Sequence, residues 1–349
     1  MIYFDVTKMG AARHPSGLVR LSGRLRDELG AAVRPVCWEH RRRAWRDAAD
    51  RRPVAFTGAD WLLTAELFSE PERPGFWEFL RRRPCRLAAI FCDAIPLQHP
   101  HITWPQSVAR HPEYLKMLAA FDRVWAISAA SRDALAGFWR WQQAEPRAAP
   151  GVLALGADHD RTPRAPAPAA PPAPPRLLCV GILEPRKNQP FLLDVCETLW
   201  RGGVDFELHV VGRANPHFGG PIARRLAERA KTEPRLHYHA AAPEALLSRL
   251  YASARATAVP TIAEGYGLPV LESLWHGRPC VGSDLPVLRE IAGGGCLLAK
   301  PNDPSAWTAA LRTVLIDDGA WRRLAAEAAA RPLPTWADTA KVVRAALGE

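Results

Sequence analysis

A proline- and alanine-rich stretch, RTPRAPAPAAPPAPPR at residues 161–176, divides this 349-residue chain into two parts. Such a run cannot form a helix or a sheet core, so it predicts an extended, semi-rigid linker. On both sides of it, short apolar runs alternate with segments of helical period, as in parallel sheets covered by helices. We therefore predict an α/β protein of two doubly wound, Rossmann-like domains, with a ligand cleft at the carboxyl ends of the strands.

The boundaries follow from the same pattern. We assign an N-terminal domain to residues 1–160, the linker to 161–175, a second domain to 176–331 and a C-terminal helical segment to 332–349. The strands expected in the first domain are IYFDV, AVRPVCW, PVAFTG, RLAAIFCD, RVWAIS and GVLALG. Those expected in the second domain are RLLCVG, FELHVVG, LHYHA, ATAVP and PCVGS.

The chain is basic, with 46 Lys and Arg against 36 Asp and Glu and a net charge of +10. Its basic runs HRRRAW and LRRRPCR are short and no nucleic-acid-binding motif accompanies them, so we expect no nucleic-acid partner. An arginine-rich solvated surface is the simplest explanation of the charge. A peripheral contact with the anionic inner face of the cytoplasmic membrane is the alternative.

No apolar run approaches the roughly 20 residues that a membrane span needs. The first residues, MIYFDVTKMG, lack the features of a secretory signal, and a cytoplasmic location is expected. Seven dispersed cysteines indicate reduced thiols. We find no Asp, His or Cys cluster with metal-ligand spacing, and DHD at residues 158–160 stands where the linker begins. The sequence therefore predicts no metal site and no cofactor.

One loop of the second domain favours anion binding. In VGILEPRKNQP, residues 180–190, Gly181 ends a strand, and Arg186 and Lys187 precede Asn188, the expected N-cap of a helix. Two cations beside a helix N-terminus form a favourable site for a diphosphate. An exposed basic loop is the alternative.

A second loop, TIAEGYGLPVLESLWHGRP at residues 261–279, carries two carboxylates eight positions apart. Because glycines and a proline separate them, Glu264 is expected on a loop and Glu272 about one turn into the following helix. The glycines let a ligand approach the backbone, and the first N–H groups of the helix favour an anion. We expect one carboxylate to bind sugar hydroxyls and the other to bind ribose hydroxyls. The ligand that fits both loops is a nucleoside-diphosphate sugar.

The signature EGYGLPVLE, with EPRKN upstream, resembles the retaining glycosyltransferases of family 4, the group 1 glycosyltransferases, which have the GT-B fold. The resemblance covers nearly the whole chain. HPSGLVR at residues 14–20 is similar to the family's N-terminal glycine loop, and CDAIPLQHP at residues 92–100 to a second family segment. GT-B enzymes have two Rossmann-like domains that face each other across a cleft, and their C-terminal helix crosses back to the first domain.

The resemblance implies a role for individual residues. Arg186 and Lys187 would bind the donor diphosphate, Glu264 the transferred sugar and Glu272 the ribose. Gly17 would lie against the donor phosphate from the first domain. The residues whose backbone would line the sugar and phosphate site are Gly265, Tyr266, Gly267 and Leu268.

Two positions depart from the family pattern. Ile182 stands where many members have an arginine of the phosphate loop, and Cys92 stands where many have a histidine. Asp93, which follows, is equally consistent with a loop cap and with a catalytic group. His239, at the end of the LHYHA strand, is expected to face the base pocket.

The resemblance thus implies a metal-independent, retaining transferase that moves a hexose from a nucleotide sugar to a glycan or polyprenyl-linked acceptor. GDP-mannose is the first choice of donor, in the synthesis of a surface polysaccharide such as lipopolysaccharide or capsule, with other glycosyltransferases of the pathway as partners. A nucleotide-sugar-binding subunit with weak catalysis and a GT-B nucleotide-sugar epimerase are the alternatives. A Rossmann dehydrogenase is disfavoured because no GxGxxG follows a first strand.

Overall fold

The computed structural model describes residues 1–9, 17–158 and 161–348. The chain forms two compact units. Unit 1 contains Met1–Gly156 and Pro334–Glu349, and unit 2 contains Ala157–Leu333. Each unit is an α/β domain built on a largely or wholly parallel sheet, as predicted. The C-terminal segment therefore belongs to the same unit as the N-terminal half.

The described residues of unit 1 form a seven-stranded sheet. Its strands are β1 (Ile2–Asp5), β2 (Val33–Glu39), β3 (Ala44–Asp47), β4 (Trp61–Thr64), β5 (Arg86–Phe91), β6 (Arg123–Ala126) and β7 (Gly151–Val152). Their order is β3-β2-β1-β4-β5-β6-β7. All neighbours are parallel except β2 and β3, which form an antiparallel edge.

Helices cover this sheet. They are α1 (Gly17–Leu29), α2 (Phe76–Arg82), α3 (Ile95–Gln98), α4 (Pro105–Leu118) and α5 (Ala129–Trp141), together with the C-terminal helix Trp336–Leu347. The C-terminal helix packs against α1. Ser128 caps α5, because its side chain accepts the Ser131 N–H at 3.0 Å.

One predicted strand is wrong. Residues 53–58, PVAFTG, do not form a strand, and the central position between β1 and β5 is taken by β4 instead. All four residues of β4 are buried, as a strand inside a parallel sheet requires. Val54 and Phe56 pack against the core with their side chains, and the backbone meets β3 only at an isolated bridge, where the Val54 N–H donates to the Trp45 carbonyl at 3.0 Å. An apolar run was therefore mistaken for a strand where the chain makes a surface loop.

Unit 1 contains a fully buried ion cluster beside its sheet. Arg73 donates from Nη2 to Asp5 at 2.6 Å and to Glu66 at 2.7 Å, and all three side chains are almost completely excluded from solvent. The other oxygen of Glu66 accepts the backbone N–H groups of Lys8 at 2.6 Å and Met9 at 3.0 Å. One buried cation thus serves two buried carboxylates, and the cluster fixes the chain that follows β1.

Unit 2 contains six strands in its described residues. They are β8 (Arg176–Val180), β9 (Glu207–Val211), β10 (Leu236–His239), β11 (Ala256–Val259), β12 (Cys280–Ser283) and β13 (Cys296–Ala299). Their order is β10-β9-β8-β11-β12-β13, and every pair is parallel. The five strands predicted for this domain are confirmed.

The helices of unit 2 lie between these strands and after the last one. They are α6 (Gln189–Arg201), α7 (Gly219–Ala230), α8 (Glu244–Ser253), α9 (Leu268–Trp275), α10 (Pro286–Ile291), α11 (Pro304–Ile316) and α12 (Asp318–Ala330). In the part of the chain that the structure describes, no helix is both long and apolar enough to cross a membrane.

The strand order explains how unit 2 builds a site. Because β8 pairs with β11, the loops that follow these two strands leave the same edge of the sheet side by side. The loop after β8 contains Arg186 and Lys187, and the loop after β11 contains Glu264. Residues from distant parts of the sequence are therefore brought together.

Candidate active site

Three predicted residues meet in an ion-paired group at this edge of unit 2. Arg186 Nη1 donates to Glu264 Oε2 at 3.0 Å, and Lys187 Nζ is paired with Glu264 Oε1. The Glu264 side chain is only 7% exposed. We call Arg186, Lys187 and Glu264 the charged triad. The triad joins the two loops that the sequence singled out.

The backbone of one loop is bonded to the other. The Arg186 carbonyl oxygen accepts the Ile262 N–H and the Thr261 hydroxyl, both at 2.8 Å. Thr261 is fully buried. Because these bonds fix the turn that carries Arg186, the cations of the triad have a defined position rather than that of a free surface loop.

Burial raises the pKa of Glu264, but the nearby charges of Lys187 and Arg186 outweigh it, and the pKa lies below its ordinary value. The carboxylate is therefore ionised at neutral pH. It can accept hydrogen bonds from hydroxyl groups and stabilise a positive charge, whereas it holds no proton to donate.

Other polar side chains support the loop after β8. Gln189 is buried and donates from Nε2 to the Ile182 carbonyl at 3.0 Å. Glu184 pairs with Arg186 Nε at 2.6 Å and accepts from Asn215 Nδ2 at 3.0 Å. Arg186 thus lies between two carboxylates, which hold its guanidinium from both sides.

Asn188 is the N-cap of α6 as predicted, but its side chain does not cap the helix. Its backbone has a positive φ of 56°. Its side chain makes no capping bond and donates to Asn302 Oδ1 at 2.8 Å. The Asn188 side chain is thus bonded to another loop and leaves the first N–H groups of α6 without a cap from this residue.

The second loop leads into α9 as predicted. Gly267 is the N-cap, with φ +106°, and Leu268 is the first helical residue. A Cβ on Gly267 would lie 2.5 Å from Leu288 Cδ2 and 2.8 Å from Ile291 Cδ1, so only glycine fits. Gly265 and Tyr266, which precede it, are buried. The first N–H groups of α9 thus begin directly after the loop of the charged triad.

Glu272 lies in the middle of α9 and is 1% exposed. Its Oε2 accepts the Tyr251 hydroxyl at 2.7 Å, and the Tyr251 ring stacks on His276 with centroids 5.0 Å apart. Glu272 therefore has a buried protein partner, besides any bond to ribose. Its role toward a ligand stays a prediction.

His239 ends β10 and belongs to a group of histidines. Its Nε2 lies 3.2 Å from His209 Nδ1, and the two rings stack with centroids 5.4 Å apart. Burial lowers the pKa of both histidines, so their imidazoles are neutral near pH 7. A contact of His239 with a nucleotide base stays a prediction.

Two predicted residues lie in unit 1. Gly17 is the first residue of α1 and is exposed. Asp93 follows β5, and its Oδ1 accepts the Ile95 N–H at 3.0 Å at the start of α3. This is the loop-capping role that the sequence left open, and a catalytic role for Asp93 stays a prediction. Burial raises the pKa of the neighbouring Cys92 thiol far above its ordinary value, so this thiol is not ionised.

Two sequence motifs fall partly outside the described residues. Residues 14–16 of HPSGLVR and residues 159–160 of DHD are not among them.

Sequence reasoning missed the residues that hold the site together. Thr261, Gln189 and Tyr251 each bond a candidate ligand-binding residue or its loop. Nothing in their local pattern marks them, since their bonds depend on which strands pair.

Comparison with known proteins agrees with this geometry. Residues 174–317 match the family model described as "Glycosyl transferases group 1". This range contains the charged triad, Glu272 and His239.

Curated relatives point the same way. The serotype-specific mannosyltransferase WbdA of Escherichia coli is 29% identical over 257 residues, which are 69% of this chain and 31% of WbdA. The O-antigen chain mannosyltransferase B of Escherichia coli is 33% identical over 179 residues, 49% of this chain and 46% of the relative. The chain thus spans less than half the length of these relatives.

Solved structures share the fold. Sucrose-phosphate synthase of Thermosynechococcus elongatus superposes with a TM-score of 0.72 at 17% identity, over 99% of this chain and 97% of the other. WaaG, a glycosyltransferase involved in lipopolysaccharide biosynthesis, superposes with a TM-score of 0.63 at 16% identity over the full length of both chains. The chain thus has two Rossmann-like domains of the GT-B type, and its residues 174–317 form a domain of the glycosyl transferases group 1 family.

Proposed function

We propose that this chain is a retaining glycosyltransferase that moves a hexose from a nucleoside-diphosphate sugar to a glycan acceptor. The charged triad is the observation that carries the proposal. It unites two cations and one ionised carboxylate on neighbouring loops of the group 1 domain. The two cations would bind the negative diphosphate, and the carboxylate would stabilise the positive charge that develops on the sugar during transfer.

In the proposed complex the diphosphate becomes a second counter-anion of Arg186 and Lys187. Both cations already pair with Glu264. On donor binding, some of their hydrogen bonds would move from the Glu264 carboxylate to the diphosphate. The start of α9 adds backbone N–H groups that favour a phosphate or a sugar oxygen. The donor would thus be held by its diphosphate and its sugar at the same loop.

The proposed reaction breaks the bond between the anomeric carbon and the diphosphate oxygen. The acceptor hydroxyl oxygen forms its bond to the same carbon on the same face, and its proton passes to the departing phosphate. Arg186 and Lys187 stabilise the charge of the leaving group. The ionised Glu264 stabilises the positive charge at the anomeric carbon. No protein nucleophile and no metal ion take part.

The choice of donor and acceptor rests on the names of the relatives. WbdA and mannosyltransferase B are named mannosyltransferases, so GDP-mannose is the proposed donor. The acceptor is a glycan or a polyprenyl-linked glycan of a surface polysaccharide. Such an acceptor places the enzyme at the cytoplasmic face of the membrane, in peripheral contact with it and beside the other transferases of the pathway.

A two-stage experiment tests the proposal. A thermal-shift screen with GDP, UDP, ADP and dTDP first identifies the nucleotide, because a ligand that binds only the folded state stabilises it. The matching nucleotide sugar is then incubated with mannose-terminated acceptors, and the anomeric configuration of the product is read by NMR. We expect stabilisation by GDP and an α-linked product from the α-linked donor.

Three outcomes would overturn parts of the proposal. Donor binding without hydrolysis or transfer would indicate a binding subunit. Turnover of the nucleotide sugar without any acceptor, to an epimeric sugar, would indicate an epimerase. A β-linked product would exclude retention.

A further inference from the structure

A group of imidazole and carboxylate side chains lies on one face of β9 and β10. None of its residues belongs to the charged triad. His209 of β9 is paired in register with His237 of β10. Glu207 precedes His209 by two positions, and His239 follows His237 by two. Because side chains alternate along a strand, all four project from the same face of the sheet.

We propose that Glu207, His209 and His237 bind a divalent transition-metal ion, with Zn²⁺ as the best fit. One ligand atom from each residue lies within 4.8 Å of the other two. His209 Nε2 and Glu207 Oε2 are 3.1 Å apart. Two ligand atoms at 2.0–2.1 Å from a tetrahedral ion are separated by about 3.3 Å, so Glu207 and His209 already have ligand spacing. The His209 and His237 rings are stacked, with centroids 4.5 Å apart and 22° between their planes, so the His237 ring must turn before its nitrogen can reach the same ion.

The neighbouring side chains match the outer partners of a metal site. His209 Nδ1 contacts His239 Nε2 at 3.2 Å, which leaves its Nε2 for the ion. Arg176 Nε donates to Glu207 Oε2 at 2.6 Å, the same oxygen that lies near His209 Nε2, so the ion and the guanidinium would share this oxygen. Metal-binding histidines and carboxylates are commonly oriented by such second bonds.

The ligand set selects the kind of ion. Mg²⁺ and Ca²⁺ prefer several oxygen ligands, and this group offers one carboxylate whose charge is already offset by Arg176. Two imidazole nitrogens favour Zn²⁺ and other late transition metals. Three protein ligands leave one coordination position to water. The ion would tie the edge strand β10 to β9 and takes no part in the proposed transfer.

Among the described residues, a pair of thiols is a competing place for a soft metal. Cys280 of β12 and Cys296 of β13 are paired in register, and their thiols contact one another. Any test of the histidine site must therefore separate imidazole ligands from thiolates.

The experiment measures Zn²⁺ binding to the metal-free, full-length protein by competition with a chromophoric chelator. We expect one equivalent to bind to the wild type, and His209→Gln or His237→Gln to weaken binding by roughly 100-fold or more. His239→Gln should weaken it by about 10- to 100-fold, the effect of losing an outer partner. His101→Gln, at an exposed histidine of unit 1, and Cys296→Ser should leave binding unchanged.

Co²⁺ serves as a spectroscopic probe of the ligands, because thiolate ligands give an intense near-ultraviolet charge-transfer band and imidazole ligands do not. We expect no such band. Equal Zn²⁺ binding by the wild type and His237→Gln would overturn the proposal, and so would loss of binding in Cys296→Ser. Melting curves without metal check that each variant is folded, and Glu207→Gln replaces His209→Gln if the latter is not. The readout is metal binding, so it does not depend on glycosyl transfer.

Discussion

Lys187 and Glu264 form a direct ion pair, although 77 positions separate them in the sequence. The pair exists because β8 and β11 are neighbours and the loops after them run side by side. An isolated basic loop would leave Lys187 in solvent, whereas its side chain is 13% exposed here. The cation is therefore held in place by Glu264, and its removal tests whether it also binds a ligand.

We expect Lys187→Met to weaken binding of the nucleoside diphosphate far more than binding of the nucleoside. A charge-assisted hydrogen bond contributes about 1.5–3 kcal/mol, or roughly 10- to 150-fold in Kd. Calorimetric titration with GDP and guanosine measures both. Lys231→Met, at an exposed lysine of unit 2, is the matched control. Equal losses for the two ligands would mean that Lys187 acts only on the fold.

Much of unit 2 could be predicted from its sequence because each element has clear boundaries. Gly202 follows the last residue of α6, and Gly267 precedes the first residue of α9. Unit 1 was harder, since β4 is a four-residue apolar run and the loop with Val54 and Phe56 is equally apolar. Local hydrophobicity does not say which of two such runs enters the sheet.

The site was predictable only where its residues belong to a recognisable loop motif. Arg186, Lys187 and Glu264 follow from loop composition, and their contact confirms that the two loops adjoin. The proposed metal site of Glu207, His209 and His237 could not be predicted, because only the register of β9 and β10 brings these residues together. Strand register depends on tertiary packing that a single sequence does not reveal.

A pH effect is expected from the ion cluster of unit 1. Burial and the adjacent Asp5 carboxylate raise the pKa of Glu66 to about 7, and Arg73 only partly offsets them. The folded state therefore binds a proton between pH 4.5 and 7 that the unfolded state has lost. Stability should fall by about 3 kcal/mol as pH rises through this window and should not depend on Glu66 outside it.

The measurement is the free energy of unfolding in urea at several pH values, for the wild type and Glu66→Gln. The variant should have a flatter profile between pH 4.5 and 7, because its side chain cannot ionise. Glu78→Gln, on the exposed end of α2, serves as the control and should keep the wild-type slope. A Glu66→Gln profile parallel to that of the wild type would contradict the prediction.

Turnover should survive removal of metal ions, since Arg186, Lys187 and the N-terminus of α9 supply the charge that a metal would otherwise supply. We expect EDTA to lower the melting temperature, because it removes the ion proposed to bind Glu207, His209 and His237. The rate of glycosyl transfer well below that temperature should stay nearly unchanged. Loss of turnover in EDTA, restored by Mg²⁺ or Mn²⁺, would contradict the metal-independent mechanism.

Glu272→Gln should raise the KM for the donor and change kcat little, because the ribose is bound equally in the ground state and the transition state. Tyr251→Phe separates this role from a structural one, since it removes the 2.7 Å bond and keeps the carboxylate. It should lower stability by about 1.5–3 kcal/mol with a small effect on KM. If Glu272→Gln lowers stability and leaves KM unchanged, its carboxylate acts on the fold alone.

Glu264→Gln should lower kcat by about 10²-fold or more, the effect of losing one well-placed electrostatic group. The same change should strengthen binding of the nucleoside diphosphate product, because Arg186 and Lys187 lose the carboxylate that now competes for them. Steady-state rates at saturating acceptor and product-inhibition constants measure the two effects in one assay.

Glu184→Gln is the matched control. Glu184 also pairs with Arg186, but it contacts the Nε atom of the guanidinium, at 2.6 Å. It removes a charge of the same sign beside the same cation, so it should strengthen product binding as well, while kcat stays near normal. A general electrostatic effect on the loop would lower kcat in both variants alike. Normal kcat in Glu264→Gln would mean that the charged triad only joins the two loops. A selective loss in Glu264→Gln would place its carboxylate beside the anomeric carbon.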